Sequence, residues 1–443
     1  MTDELLEQLR ARNPAPAPVA PPPIEDVLGR IAAGEGSAGP RWPHWVPPSL
    51  AIVITAAVAA VALVSLHRRQ PAATPAAHPT RQTGAATPTP GPGEAMRGSL
   101  HVGLVGFGPG GTGVIAWTQF RTASALNPTS WLARTSDGGR SWSVARRSFS
   151  LFANAAFDGS RDGWAQGVDS NRILRFYVTH DGGRSWTPAQ SAAGADSADG
   201  EVSVADGAVW AVGTGSCAAG GCRWIVMRGA ASGDRLPATA VQPLPPTNQN
   251  ATTISASSAT TAYVASPGEH GTVIYATRDS GQHWRQIPSQ CSGGSSEFGL
   301  GAPGTDTLWR VCVLSKQFFV ERSTDGGARW SAKRLPFIPL FAFEPVSSLV
   351  AWSQDIRGTI YRTADGGASW QPVWTTGGAH GRPIAGFSPI LSARSRDDAS
   401  VLVQLTRGPI SRDEIPRSTN LVVYRTSDGG RSWNPSIVKL PAG

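Results

Sequence analysis

The sequence is short of the residues from which active sites are usually assembled. Its 443 residues include four cysteines, eight histidines and five tyrosines. The histidines are isolated from one another and none adjoins a nucleophile-like turn, so no Ser/His/Asp constellation can be put together. Cys217, Cys222, Cys291 and Cys312 lack the paired spacings of a zinc site and have no histidine cluster beside them. A phosphate cradle is missing as well: "GFGPGGTG" from Gly106 runs into a strand-like stretch rather than a helix. Beyond residue 97 nothing recurs at helical spacing. The net charge is +8, almost all from arginine, but the arginines are scattered and form no basic run or recognition helix. A solvated surface accounts for them better than a nucleic-acid footprint, and a weakly cationic exterior would suit anionic wall polymers. No cofactor is implied.

What the chain does contain is one turn, spelled repeatedly. "RTSDGGRSW" stands at Arg134 to Trp142 and again at Arg425 to Trp433. Four variants lie between them, and all six fit Ser or Thr, any residue, Asp, any residue, Gly, two residues, Trp. The fixed positions are Thr135, Asp137, Gly139 and Trp142; Thr179, Asp181, Gly183 and Trp186; Thr277, Asp279, Gly281 and Trp284; Ser323, Asp325, Gly327 and Trp330; Thr363, Asp365, Gly367 and Trp370; Thr426, Asp428, Gly430 and Trp433. The tryptophans are separated by 44, 98, 46, 40 and 63 residues. The gap of 98 holds a decayed copy, "WIVMRGAASGDRL" from Trp224 to Leu236, which keeps the apolar lead-in and has lost the aspartate and tryptophan. That makes seven units at the period of propeller blades.

Each unit reads as three or four short runs of branched and aromatic residues bounded by Gly, Ser, Asp or Pro. Around Trp370 these are "PLFAFEP", "SLVAWSQ", "GTIYRT" and "QPVW". Such runs are strands, and seven four-stranded antiparallel units predict an all-β, seven-bladed propeller over residues 98–443. The repeated turn then has a structural job. Gly-Gly permits a tight hairpin, Asp bonds nearby amides, the hydroxyl bonds across the turn, and tryptophan covers it.

The template resembles the Asp-box, or BNR, repeat of sialidases, xyloglucanases, sortilin-type receptors and propellers similar to photosystem II assembly factors. The run "GWA.G", an aromatic strand, then "T.DGG..W" looks most like the assembly-factor type. The resemblance implies a box between the two outer strands of each blade, away from the ligand site. It fits catalysis poorly. A sialidase-like enzyme needs a tyrosine nucleophile and an early "RIP"-like motif. Tyr177, Tyr275, Tyr361 and Tyr424 are repeat positions, Tyr263 sits mid-strand in "TAYVAS", and the motif is absent. A glycosidase built from carboxylates of several blades stays open as the alternative, with Asp169, Glu269, Glu297, Asp355, Asp413 and Glu414 as acids outside the repeat pattern.

Residues 1–48 form a polar, proline-rich tail with two short helical stretches, "TDELLEQLRAR" and "IEDVLGRI". It resembles cytoplasmic tails of actinobacterial membrane proteins related to anti-sigma regulators, which leaves an envelope sensor as a second alternative. Residues 49–66, "SLAIVITAAVAAVALVSL", carry no charge and are expected to span the membrane as a signal-anchor rather than a cleaved leader. Residues 67–97 are a Pro/Ala/Thr-rich stalk. Together these segments predict a single-pass protein of the cytoplasmic membrane with its N-terminus inside and the propeller outside. In that setting Cys217, Cys222, Cys291 and Cys312 are expected in disulfides, with free thiols or a metal as rivals. The expected function is a non-catalytic binding or assembly scaffold for a protein or envelope glycan. Long loops from Thr118, Gly213, Thr375 and Thr406 are expected to share one rim, with Arg121, His380, Arg382, Arg412 and Asp413 as contacts.

Overall fold

The hairpin is the unit from which the fold is built, and seven of them, each extended by two strands, close a ring. The computed structural model describes residues 99–120, 129–169, 173–192, 201–218, 221–242, 244, 252–268, 271–288, 299–314, 317–375, 390–406 and 418–439. Blade one comprises Ser99–Phe107, Gly113–Phe120, Thr129–Thr135 and Ser143–Arg147; blade two, Ser150–Asp158, Asp162–Val168, Leu174–Thr179 and Thr187–Pro188. Blade three has Val202–Ala205, Ala208–Ala218 and Gly221–Ala230. Blade four has Thr253–Ala256, Ala262–Gly268, Gly271–Thr277 and Arg285–Ile287; blade five, Gly299–Gly304, Thr307–Leu314, Gln317–Ser323 and Ser331–Arg334. Blade six has Pro339–Pro345, Ala351–Asp355, Ile360–Thr363 and Gln371–Trp374; blade seven, Ile390–Ala393, Ala399–Thr406, Ser418–Thr426 and Asn434–Val438. Pairing within each is antiparallel and sequential.

Blade three, the decayed copy, keeps only a remnant of its fourth strand. The Thr239 amide donates to the Val226 carbonyl (2.9 Å), the Arg228 amide donates to Pro237 (3.0 Å), and Met227 and Ala238 form an isolated bridge. Elsewhere the outer hairpin is fixed by one hydrogen-bond set. The Ser/Thr hydroxyl donates to the aspartate at 2.7–2.9 Å and accepts from the glycine amide at 2.8–3.0 Å. The second glycine, Gly139 in the first copy, has φ 87°, open to glycine and strained for other residues. The indoles of Trp142, Trp186, Trp330 and Trp433 donate to that glycine's carbonyl.

The first strands touch one another in a closed cycle from blade one to blade seven and back, so they surround the axis. The seams between blades hold the core, and a second repeated device crosses them. Trp210, Trp309 and Trp352 on second strands stand directly opposite Arg228, Arg322 and Arg362 on third strands. Each guanidinium lies over its tryptophan at 5.5–5.7 Å and donates to a carbonyl of the next blade: Ala259, Ser348 and Arg396. Arg134 reaches Gly182, and Arg425 reaches Gly138 across the seam from blade seven to blade one. These five arginines tie neighbouring blades together, while others such as Arg140, Arg184, Arg235 and Arg396 are exposed on the surface. The turn tryptophans also reach backwards: Trp284 meets the edge of Trp210, and Trp433 that of Trp352.

Among the described residues no strand from one end of the ring joins the sheet at the other. The closing seam is held by Phe107, Ile115, Trp117, Leu402, Leu421 and Val423 in one buried cluster, with Arg394 over Phe107 and Trp142 donating to Ser436. Residues 1–98 lie outside the described residues, and among those described no helix is long and apolar enough to cross a membrane.

Candidate functional site

Antiparallel alternation sends the connections between second and third strands, and those between blades, out of the same end of the ring. The loops from Thr118, Gly213, Thr375 and Thr406 therefore leave from one face. Their expected contact residues Arg121, His380, Arg382, Arg412 and Asp413 lie outside the described residues, as do Glu269, Glu297 and Glu414.

The other acids singled out in the sequence are committed to local structure. Asp169 accepts from the Ile173 amide and pairs with Arg175 (3.0 Å). Asp355 accepts from the amides of Arg357 and Thr359 at 2.9 and 2.8 Å and closes a turn; burial pushes its carboxyl upward against those two donors. The tyrosines are packing residues. Tyr177 and Tyr361 stack on Phe149 and Phe337, Tyr424 is buried against Trp374, and Tyr263 donates to the Thr305 carbonyl across a seam. Arg310 and Glu321 form a fully buried cross-strand ion pair under Trp330, between blades four and five. Among the described residues no group of three or more His, Cys, Asp or Glu is placed to hold a metal ion.

The acids that stand apart are on the axis. One position of each first strand faces the seam residue of its second strand: Gly106 opposite Val114, Ala156 opposite Trp164, Ser203 opposite Trp210, Ser255 opposite Tyr263, Gly301 opposite Trp309, Glu344 opposite Trp352 and Ser392 opposite Ser400. Six are Gly, Ala or Ser, and close packing explains why. A Cβ on Gly301 would lie 2.1 Å from Pro345 Cγ of the next blade. Ser203 and Ser255 accept from the Ala256 and Ala302 amides of their next blades, both at 2.9 Å, satisfying donors that an innermost strand would otherwise leave unpaired. Glu344 breaks this tier. No hydrogen bond engages it among the described residues.

Two residues before Ser203, Glu201 is the acid of the adjoining tier, and its carboxylate accepts from the Ile254 amide of blade four. Blades three and six are not neighbours. Glu201 nevertheless raises the proton affinity of Glu344 through its charge, and both belong to the innermost strands that surround the axis. Burial pushes Glu344 up to about 8, with the charge of Glu201 adding to it. Burial likewise pushes Glu201 up to about 7 against the Ile254 amide. Both keep partial contact with solvent.

Sequence reasoning passed over both. Glu344 hides inside the apolar run "PLFAFEP", and Glu201 opens the blade whose repeat has decayed. Aligning first strands backwards from each seam tryptophan would have exposed Glu344 as the acid in a column of small residues.

No protein-family model matches the chain, and no curated protein matches it. Solved structures do. YCF48 from Cyanidioschyzon merolae is 13% identical, covering 70% of this chain and 94% of its own, with a TM-score of 0.46. The GH74 xyloglucanase from Xanthomonas campestris is 13% identical over 77% of this chain and 61% of its own, at 0.45. The fucose-recognising Aleuria aurantia lectin, a six-bladed propeller, is 14% identical over 78% and 97%, at 0.38. The seven-bladed architecture rests on the chain's own strand pairing and on the closed cycle of its first strands.

Proposed function

We propose that the chain is a membrane-anchored, extracytoplasmic scaffold whose propeller binds a protein or glycan partner without chemistry. Residues 49–66 serve as the anchor, residues 67–97 as the stalk, and the repeated turn as an Asp-box. One observation carries the reading: among the described residues the recurrent polar and aromatic groups are consumed in holding the ring, while Glu344, on an innermost strand, is an acid with no hydrogen-bond partner. The cysteines suit an oxidising exterior. Cys217 and Cys222 face each other across their hairpin, and Cys312 is disulfide-bonded.

The axial carboxylates favour a second reading, a carbohydrate-active hydrolase, because two acids of raised proton affinity can divide the roles of acid and base. The purified full-length chain, offered wall polysaccharides and sialylated or plain glycans, separates the two. Retention without released sugar supports the scaffold; released sugar that Glu344→Gln abolishes supports the hydrolase. A chain that retains neither a glycan nor a cross-linked envelope protein would overturn the scaffold.

A further inference from the structure

We infer that Asp206 is a site of slow spontaneous modification: its link to Gly207 rearranges through a succinimide to isoaspartate, and the change loosens the seam between blades two and three. The inference is independent of the scaffold reading. The chemistry needs an aspartate carboxyl and a following amide free to reach it. The Gly207 nitrogen attacks Asp206 Cγ, and the amide proton leaves with a carboxyl hydroxyl as water. Water then adds back at either ring carbonyl. Opening the new N–Cγ bond restores aspartate, whereas opening the original peptide bond leaves the main chain running through Cγ, one methylene longer. Glycine carries no side chain to obstruct the attack.

Five of the repeated turns also read Asp–Gly, and the fold blocks both reactants in each. Every one of these carboxylates accepts from the amide four residues on at 2.9–3.0 Å. The amides that would attack, those of Gly138, Gly182, Gly326, Gly366 and Gly429, donate to carbonyls of their own blade's inner turn at 2.8–3.0 Å. Asp206–Gly207 has neither restraint. It is the two-residue loop between the first and second strands of blade three, closed by the Ala205–Ala208 pair, with φ of 49° and 76°. That is the turn Asp-Gly favours. Both residues are exposed, and among the described residues the Asp206 carboxylate accepts no hydrogen bond and the Gly207 amide donates none. The other pairs are held: Asp162 binds His180 at 2.8 Å with Gly163 in the ladder opposite Thr179, and half-buried Asp158 ends its strand in register with Asp162. Two hydrogen bonds lead from the site to the seam. The Gly207 carbonyl accepts from the Ala231 amide at 2.9 Å, and the Ala231 carbonyl accepts from the Trp164 indole of blade two at 2.8 Å. Ala231 and Trp164 are fully buried. An added methylene at residue 206 displaces the first carbonyl and slackens the bond by which Trp164 holds blade three.

Ageing the purified full-length chain at neutral pH and 37 °C tests this. Isoaspartate is located by peptide mass spectrometry with electron-transfer fragmentation, and its total is read as methyl groups transferred from S-adenosylmethionine by an isoaspartyl methyltransferase. Asp206 should convert roughly tenfold or more faster than any aspartate of the repeated turns, since those must first release a bonded amide and a bonded carboxylate. In denaturant that difference should vanish. Asp206→Glu, which would have to close a larger ring, should remove most of the methyl uptake of the native chain. The aged fraction should exchange its Ala231 amide hydrogen faster than fresh protein. Turn aspartates that convert as fast as Asp206 in the native chain, Asp158 converting ahead of it, or no isoaspartate at residue 206 while the denatured chain forms it there, would each overturn the modification. Unchanged exchange at Ala231 in the aged fraction would overturn the loosening of the seam.

Discussion

Replacing Glu344 by glutamine should make the protein more stable in mild alkali and leave it unchanged in mild acid. The carboxyl is raised from 4.5 to about 8 in the fold, and Glu201 from 4.5 to about 7. A raised acid contributes its full share to stability below its unfolded value, and that share is lost as pH climbs through the folded value. With about 1.4 kcal/mol per pKa unit, ionising Glu344 between pH 5 and pH 9 withdraws on the order of 3–4 kcal/mol, reduced by whatever solvent screens. Glutamine keeps the shape and cannot ionise. Denaturant midpoints followed by tryptophan fluorescence at pH 5.5, 7 and 9 would check this. Wild type should weaken between about pH 5 and pH 8 and level off above, and Glu344→Gln should lose only the part due to Glu201, now relieved of its neighbour. Parallel pH profiles for the two proteins would refute the desolvation of Glu344.

The turns predict the opposite limb. Partial burial lifts Asp428, but the hydroxyl and amide of Ser432 and the hydroxyl of Thr426 outweigh it and hold it at about 2; its stability is present above about pH 4 and lost as pH falls toward 2, so Asp428→Asn should flatten acid unfolding there. Thr363→Val removes one donor and the acceptor for Gly367 and should cost about 2 kcal/mol in chemical unfolding, with Thr363→Ser recovering most of it. Arg362→Met breaks the clamp to blade seven and its contact with Trp352, for a loss of about 1–3 kcal/mol read the same way; an unchanged midpoint would mean the clamp is ornamental. Gly301→Ala forces a methyl against Pro345 and should cost about 1–3 kcal/mol, whereas Ser392→Ala should be nearly silent.

The ring was legible because the turn is chemically stringent. A hydroxyl, an aspartate, a glycine at positive φ and an indole must recur together for the hairpin to close, so six copies survive in recognisable form. Blade three was found by period alone, and the structure shows what its decay removed: the regular fourth strand. The seam arginines were visible as letters but not as clamps, because their partners are carbonyls of another blade. The axial glutamates were illegible for a different reason. First strands share no motif, only small size, and that constraint shows itself once register sets Glu344 across from Trp352.

The order of strands within blade one carries a mechanical meaning. Ser99 begins an innermost strand and stands opposite Phe120, at the end where the long loops leave. Ser99 therefore stands beside the axis, not at the rim. Tension applied at Ser99 would pull the strand lengthwise, so the register pairs from Ser99↔Phe120 to Phe107↔Gly113 would resist together in shear instead of unzipping singly. A pull applied at the outer edge would peel a blade; a pull applied at Ser99 draws on the hub.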